Sequence, residues 1–156
     1  MPKINESELK KEIKSGDFKN AYLLYGEESY LKEYYASELK NKIVDKTFEA
    51  FNFHYFDGKD TELDDILKDA QMLPMMSEYN FVMVKDYPIE KSANDIKLLE
   101  EYLKDAPDTT VFVFWFDAIE PDVKSAKFKR LLKHLKRRAT VLNFKKGVKT
   151  MLPNFL

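Results

Sequence analysis

Ala21-Tyr22-Leu23-Leu24-Tyr25-Gly26-Glu27-Glu28-Ser29-Tyr30-Leu31 is the stretch whose reading decides the fold. Five apolar residues closed by a glycine suit a buried strand better than a helix, which needs a longer run. Gly26 supplies a turn. From Ser29 to about Val44, Leu31, Tyr35, Leu39 and Ile43 then recur on one face of a long helix, with charges on the other. Strand, glycine turn and helix form the first unit.

The same alternation extends outward from it. Upstream, Asn5 stands at an N-cap position with Glu8 three residues on, and Leu9 and Ile13 follow at helical spacing until Gly16. Downstream, Phe51 to Phe56 reads as a strand ending in the Asp57-Gly58 turn. Thr61 is placed to cap a helix carrying Leu63, Ile66, Leu67 and Ala70. Phe81 to Val84 is a third strand, and Ser92 with Asp95 opens a helix through Ile96, Leu99 and Leu103 that Pro107 halts. Thr110 to Phe116 is the fourth and most apolar strand. After Pro121, Phe128, Leu131, Leu132 and Leu135 mark a helix, and Thr140 to Phe144 a last strand. Continuous apolar strands joined by helical crossovers require a parallel sheet covered on both faces. The expected class is a three-layer α/β domain with five parallel strands.

At 156 residues the chain suffices for one sizeable core, and no linker divides it. It has no cysteine, no secretory signal and no apolar run near the roughly 20 residues of a membrane helix, so a cytoplasmic protein without membrane contact is expected. The net charge of −1 conceals a division at Pro121. Up to that residue there are 15 basic and 26 acidic side chains, a balance of −11; beyond it 11 basic and 1 acidic, a balance of +10.

Gln71-Met72-Leu73-Pro74-Met75-Met76 is the first candidate site. Pro74 stops the preceding helix, and four large flexible apolar side chains lie beyond what its stripe needs. They either plug the core, a common use of methionine, or form a surface that grips a partner. The second candidate is the turn Gly26, Glu27, Glu28, where a parallel domain of this order would hold a nucleotide. Two carboxylates stand where phosphate needs neutralising and no Lys-Ser or Lys-Thr pair follows, so the turn reads as a degenerate nucleotide loop, with Glu27 and Glu28 complementing the helix dipole. Asp86 reads as an ordinary strand-end residue. His54 and His134 make no metal site, Asp64, Asp65 and Asp69 read as a solvated helix face, and no catalytic set or cofactor motif assembles. Lys124, Lys127, Lys129 and Arg130 begin a basic helix that is either a solvated face or a contact for DNA or a subunit.

The run Tyr22 to Leu31, with Gly26-Glu27-Glu28 and the aromatic-Leu pair Tyr30-Leu31, resembles the opening strand and turn of the delta subunit of the bacterial DNA polymerase III clamp loader. Phe51 to Asp57, the helix into Gln71 to Met76, the strand Phe81 to Val84 and the segment around Lys124, Lys127 and Phe128 agree with that family in order and spacing.

The resemblance implies an AAA+-like, P-loop NTPase-like amino-terminal domain without a functional nucleotide site, cofactor or catalysis of its own. Residues 1–147 would be a clamp-binding domain and 148–156 the start of a connection to a helical lid. Leu73, Met75 and Met76 would anchor in a pocket of the sliding clamp, the beta subunit, with Met72 beside them and Gln71 fixing orientation. Met75 and Met76 depart from the family's usual Leu-Phe. Within the DNA polymerase III holoenzyme, the full protein would join delta prime and gamma/tau to open the clamp for loading onto primed DNA during replication. Two other readings remain: an unusual P-loop nucleotide-binding protein, and a DNA-binding module built on the basic helix.

Overall fold

The computed structural model describes residues 6–135 and 138–144. In chain order the elements are α1 (Glu6–Ser15), β1 (Ala21–Tyr25), α2 (Ser29–Ile43), a single turn α3 (Glu49–Asn52), β2 (Phe53–Asp57), α4 (Leu63–Ala70), β3 (Asn80–Lys85), α5 (Ala93–Lys104), β4 (Thr110–Trp115), α6 (Ala126–Leu135) and β5 (Ala139–Asn143). The strands form one sheet in the order β2-β3-β4-β1-β5, and all four pairings are parallel.

This order dictates which helix covers which face. Crossovers between parallel strands are right-handed, so the direction of travel across the sheet selects the side. From β1 the chain moves through α2 to the far edge at β2, then returns through α4, α5 and α6 in the opposite sense. The two directions put α2 on one face and the other three on the other. Two core clusters follow from the alternation of side chains along each strand. Leu23, Val82, Phe112 and Val141 pack with Ile66, Leu99 and Leu131 of α4, α5 and α6. Tyr22, Leu24, Phe81 and Val113 pack with Leu9 of α1 and Leu31, Tyr35 and Leu39 of α2.

Most sequence expectations stand, and some do not. The second strand starts at Phe53, because residues 46–52 wind into a 3-10 turn and α3 that turn Asn52 inward. Thr61 is not the cap of α4: Glu62 holds that position, and the Thr61 hydroxyl instead donates to the Asp57 carbonyl at 2.9 Å. Ser92 does cap α5, accepting from the Asp95 amide at 3.2 Å. The α2 charges are not all outside, since Lys32 is buried at 1% exposure. The cap at Asn5 and the connection at 148–156 lie outside the described residues. Among those described, no helix is long and apolar enough to cross a membrane.

Gly26 is needed for its conformation and its contacts together. Its φ is +118°, and a Cβ there would stand 2.5 Å from both the amide nitrogen and the carbonyl oxygen of Phe144. Gly16 has φ +78° with open space around it. Gly16→Ala is therefore expected to cost about 1 kcal/mol of strain alone, whereas Gly26→Ala must also push β5 aside and costs about 2–4 kcal/mol. Urea denaturation of the two variants checks the difference; equal losses would mean that the Phe144 contact yields freely.

Candidate functional site

The Gln71–Met76 segment lies at the edge of the sheet where strands begin. Helix α4 ends because Gln71 closes its last turn, donating to Leu67 O at 3.1 Å and Lys68 O at 3.3 Å, and Pro74 cannot extend it. The Ala70 carbonyl, left without an intrahelical partner by this ending, accepts from Tyr102 Oη and Thr110 Oγ1, each at 2.9 Å. Burial pushes the Tyr102 phenol up to about 12, so it remains a donor at neutral pH.

Two buried asparagines fasten the segment that follows. Asn52 accepts from the Met75 amide at 2.7 Å and donates to the Met75 carbonyl at 2.8 Å. Asn80 donates to Asp69 O at 2.8 Å and Met72 O at 3.0 Å, and its Oδ1 faces His54 Nε2 at 2.8 Å. The other ring nitrogen, Nδ1, lies 3.3 Å from the Asp69 carboxylate. Met76 takes a left-handed backbone at φ +56°.

Above this base the apolar side chains stand in solvent, with Leu73 at 71%, Met75 at 54% and Met76 at 78% exposure. Met72 and Gln71 are exposed beside them. The local sequence left open whether these residues plug the core, and they do not. Four of the nine large exposed hydrophobic side chains among the described residues fall within these five positions.

At the opposite edge, where strands end, lies the Gly26-Glu27-Glu28 turn. In open α/β sheets this edge is where ligands bind. Here the Gly26 amide donates to Glu120 Oε1 at 2.8 Å, and the buried Lys32 ammonium meets Glu120 Oε2 at 2.7 Å. The Glu28 amide donates to Phe144 O, and the Ser29 amide to Glu27 O, both at 3.0 Å. Glu28 precedes α2 without a side-chain capping bond.

Asp86 is not the ordinary strand-end residue expected from sequence. It has φ +59°, a conformation aspartate tolerates, and its carboxylate accepts from the amides of Asp117, Ala118 and Ile119 at 2.7–3.3 Å. Glu90, also buried, accepts from the Asp122 amide at 3.0 Å. Three carboxylates thus hold the 117–122 loop in place. They border a cleft of about 500 Å³ that Lys59, Lys85 and Ile119 also line.

Lys124, Lys127, Lys129 and Arg130 are all exposed, but α6 begins only at Ala126, where Ser125 accepts from the Phe128 amide at 3.1 Å. Lys124 therefore sits in the preceding turn. Lys127 bonds the Lys91 carbonyl at 3.2 Å. Among the described residues no group of three or more His, Asp or Glu side chains is arranged to hold a metal ion.

Sequence reasoning missed Lys32, Asn52, Asn80 and Glu120. Only Lys32 had a local signal: it lies three and four residues before Tyr35 and Ala36, on the apolar face of α2.

The sheet order and its two helical layers define an AAA+-like α/β domain. Its resemblance to solved structures extends to a DNA polymerase III gamma subunit-related protein of Thermotoga maritima, with TM-score 0.60 and 18% identity over 94% of this chain and 47% of that one, a likeness of fold alone. The model of the family DNA polymerase III, delta subunit, matches residues 22–145, and the chain belongs to that family. The DNA polymerase III subunit delta of Bacillus subtilis is 32% identical over 142 residues, 86% of this chain and 40% of that protein. The solved Bacillus subtilis DNA clamp loader delta protein superposes with TM-score 0.73 and 28% identity over 89% of this chain and 42% of that one. The chain thus spans about two fifths of the length of these relatives.

The Lys32–Glu120 pair has one buried and one half-exposed partner, at 1% and 43% exposure. Losing one member of a fully buried pair costs about 3–5 kcal/mol; solvent around Glu120 reduces the expected loss in Glu120→Ala to about 1–3 kcal/mol. Lys32→Met combined with Glu120→Gln should recover much of it. A urea midpoint for Glu120→Ala equal to wild type would mean that the turn is held without this pair.

Proposed function

We propose that this chain is the clamp-binding, amino-terminal part of a delta subunit, with 1–147 as the binding domain and 148–156 leading into a further domain. The observation that carries the reading is the exposed Leu73, Met75 and Met76 on a fastened backbone, within a chain of the delta family. A shallow apolar pocket on the sliding clamp accepts these side chains, and Gln71 beside them supplies the polar contact that fixes orientation. Thioethers adapt to a pocket shaped for other apolar groups, so Met75 and Met76 suit this role. In the complete loader, with delta prime and gamma/tau, the domain favours the open ring to the extent that it binds that form more tightly than the closed one. The ring is then loaded onto primed DNA.

We further infer that the domain contributes neither catalysis nor a nucleotide site. The amides of the Gly26 turn that would cradle phosphate are engaged by Glu120, Phe144 and Glu27, and Asp86, which stands where an NTPase would place a magnesium ligand, is saturated by backbone amides. Titration with magnesium and ATP should give no binding isotherm, and a saturable one abolished by a change at Gly26 would overturn this part. A DNA contact through Lys124, Lys127, Lys129 and Arg130 is the second reading; its mark is affinity that falls steeply with salt.

The principal test is binding of the domain to the sliding clamp, wild type against the Leu73→Ala, Met75→Ala, Met76→Ala triple variant. The three side chains lie in solvent, so the variant should keep its unfolding midpoint within about 1 kcal/mol of wild type and lose clamp binding by at least about 100-fold. A folded triple variant that binds as wild type does would remove the site from this segment.

A further inference from the structure

The Gln71–Ser77 segment has no regular secondary structure, yet its backbone is held on both sides of Pro74 by carboxamides that are themselves buried at 1% exposure. Ahead of the proline, Asn80 takes the Met72 carbonyl; beyond it, Asn52 takes both backbone groups of Met75 in a two-bond ring, as a neighbouring strand would. Burying a carboxamide is unfavourable unless its donors and acceptor are satisfied. Apart from the Phe48 carbonyl at 3.3 Å, the hydrogen bonds that satisfy Asn52 all come from Met75.

We propose that Asn52 and Asn80 are positioning residues that set the backbone of the clamp-binding segment before any partner arrives, so that Leu73, Met75 and Met76 meet it as a preformed surface. Asn52 is reached from the end of α3 and Asn80 from the first position of β3, so two separate elements fix one short segment. His54, which bridges Asn80 and Asp69, braces the carboxamide on the Met72 side. Ordering a loop on binding lowers affinity, and a loop already ordered escapes that loss. Release of the Met75 bonds frees Met75 and the two residues between the fastening points, Leu73 and Pro74, and should weaken binding by about 10- to 100-fold. The affinity part of this inference rests on the clamp-binding reading; the ordering part does not.

The experiment has two readouts on the same domain. Amide hydrogen exchange by NMR reads the ordering: in wild type the Met75 amide should exchange at least about tenfold more slowly than in an unstructured peptide, and in Asn52→Ala that protection should vanish while amides of β1 and β4 keep theirs. Exchange at the peptide rate in wild type would overturn the proposal without recourse to a variant, which covers the case in which Asn52→Ala does not fold. Surface plasmon resonance with the sliding clamp reads the consequence: Asn52→Ala should bind about 10- to 100-fold more weakly, mainly through faster dissociation, although every contacting side chain is present. Lost protection with unchanged affinity would overturn the claim that the preformed shape matters. Absence of clamp binding by wild type would instead defeat the proposed partner, and the exchange result would still judge the positioning.

Discussion

The handedness of the crossovers is the constraint on which the rest of this domain depends. With β1 inside the sheet and β2 at its edge, one outward step and three return steps assign α2 to one face and α4, α5 and α6 to the other. The interior strands β1, β3 and β4 are then buried over nearly their whole length, while β2 at the edge is only partly covered. The two rims of the sheet are left as the places where backbone is not committed to ladders or helices. Two of the candidate sites lie at those rims. The strand-starting rim carries the Gln71–Met76 tip, and the strand-ending rim carries the Gly26 turn and the 117–122 loop.

The two rims use the same chemistry to different ends. At the strand-ending rim, carboxylates meet the free amides: Glu120 takes Gly26, Asp86 takes three successive residues and Glu90 takes Asp122. Backbone amides gathered at such a rim attract anions, and here the anions belong to the chain itself. Lys32, whose buried ammonium needs a negative partner, finds it in the same Glu120. At the strand-starting rim the fasteners are neutral carboxamides, which offer donor and acceptor together and can hold a peptide unit on both sides. The first arrangement joins two loops to each other; the second fixes a loop while leaving its side chains outside.

The fold was legible because its signals are local and periodic: apolar runs of strand length, stripes at helical spacing, and Gly26, Gly58 and Pro107 as punctuation. The tip was legible as a surplus, since Leu63, Ile66, Leu67 and Ala70 already complete the α4 stripe and leave Met72 to Met76 without a core position. What holds the tip was not legible. Asn52 and Met75 lie 23 residues apart and meet only because β2 and β3 pair in register. Asn52 also sat where strand alternation was expected, and the short α3 turned it inward instead. Glu120 and Lys32, 88 residues apart, are joined by the pairing of β1 with β4. Asp86 was visible as a strand end, but a carboxylate that gathers three amides from the next strand's loop has no signature in one segment.

For the proposed contact with the clamp, the size of the tip gives a reason for holding its backbone. Three aliphatic or thioether side chains gain about 5–9 kcal/mol when fully buried, while association of two proteins costs an estimated 4–15 kcal/mol before any ordering is counted. These three side chains leave a balance of at most about 5 kcal/mol, and each residue whose backbone had to be fixed on binding would remove about 1–2 kcal/mol more. Methionine adds rotamer entropy of its own, about 1.5–2 kcal/mol for a side chain that becomes fixed. A tip that carries Met75 and Met76 in place of stiffer side chains therefore gains adaptability and loses order at the side-chain level. On the proposed reading, Asn52 and Asn80 offset that loss where they can act, in the main chain, and leave the thioethers to fit the clamp.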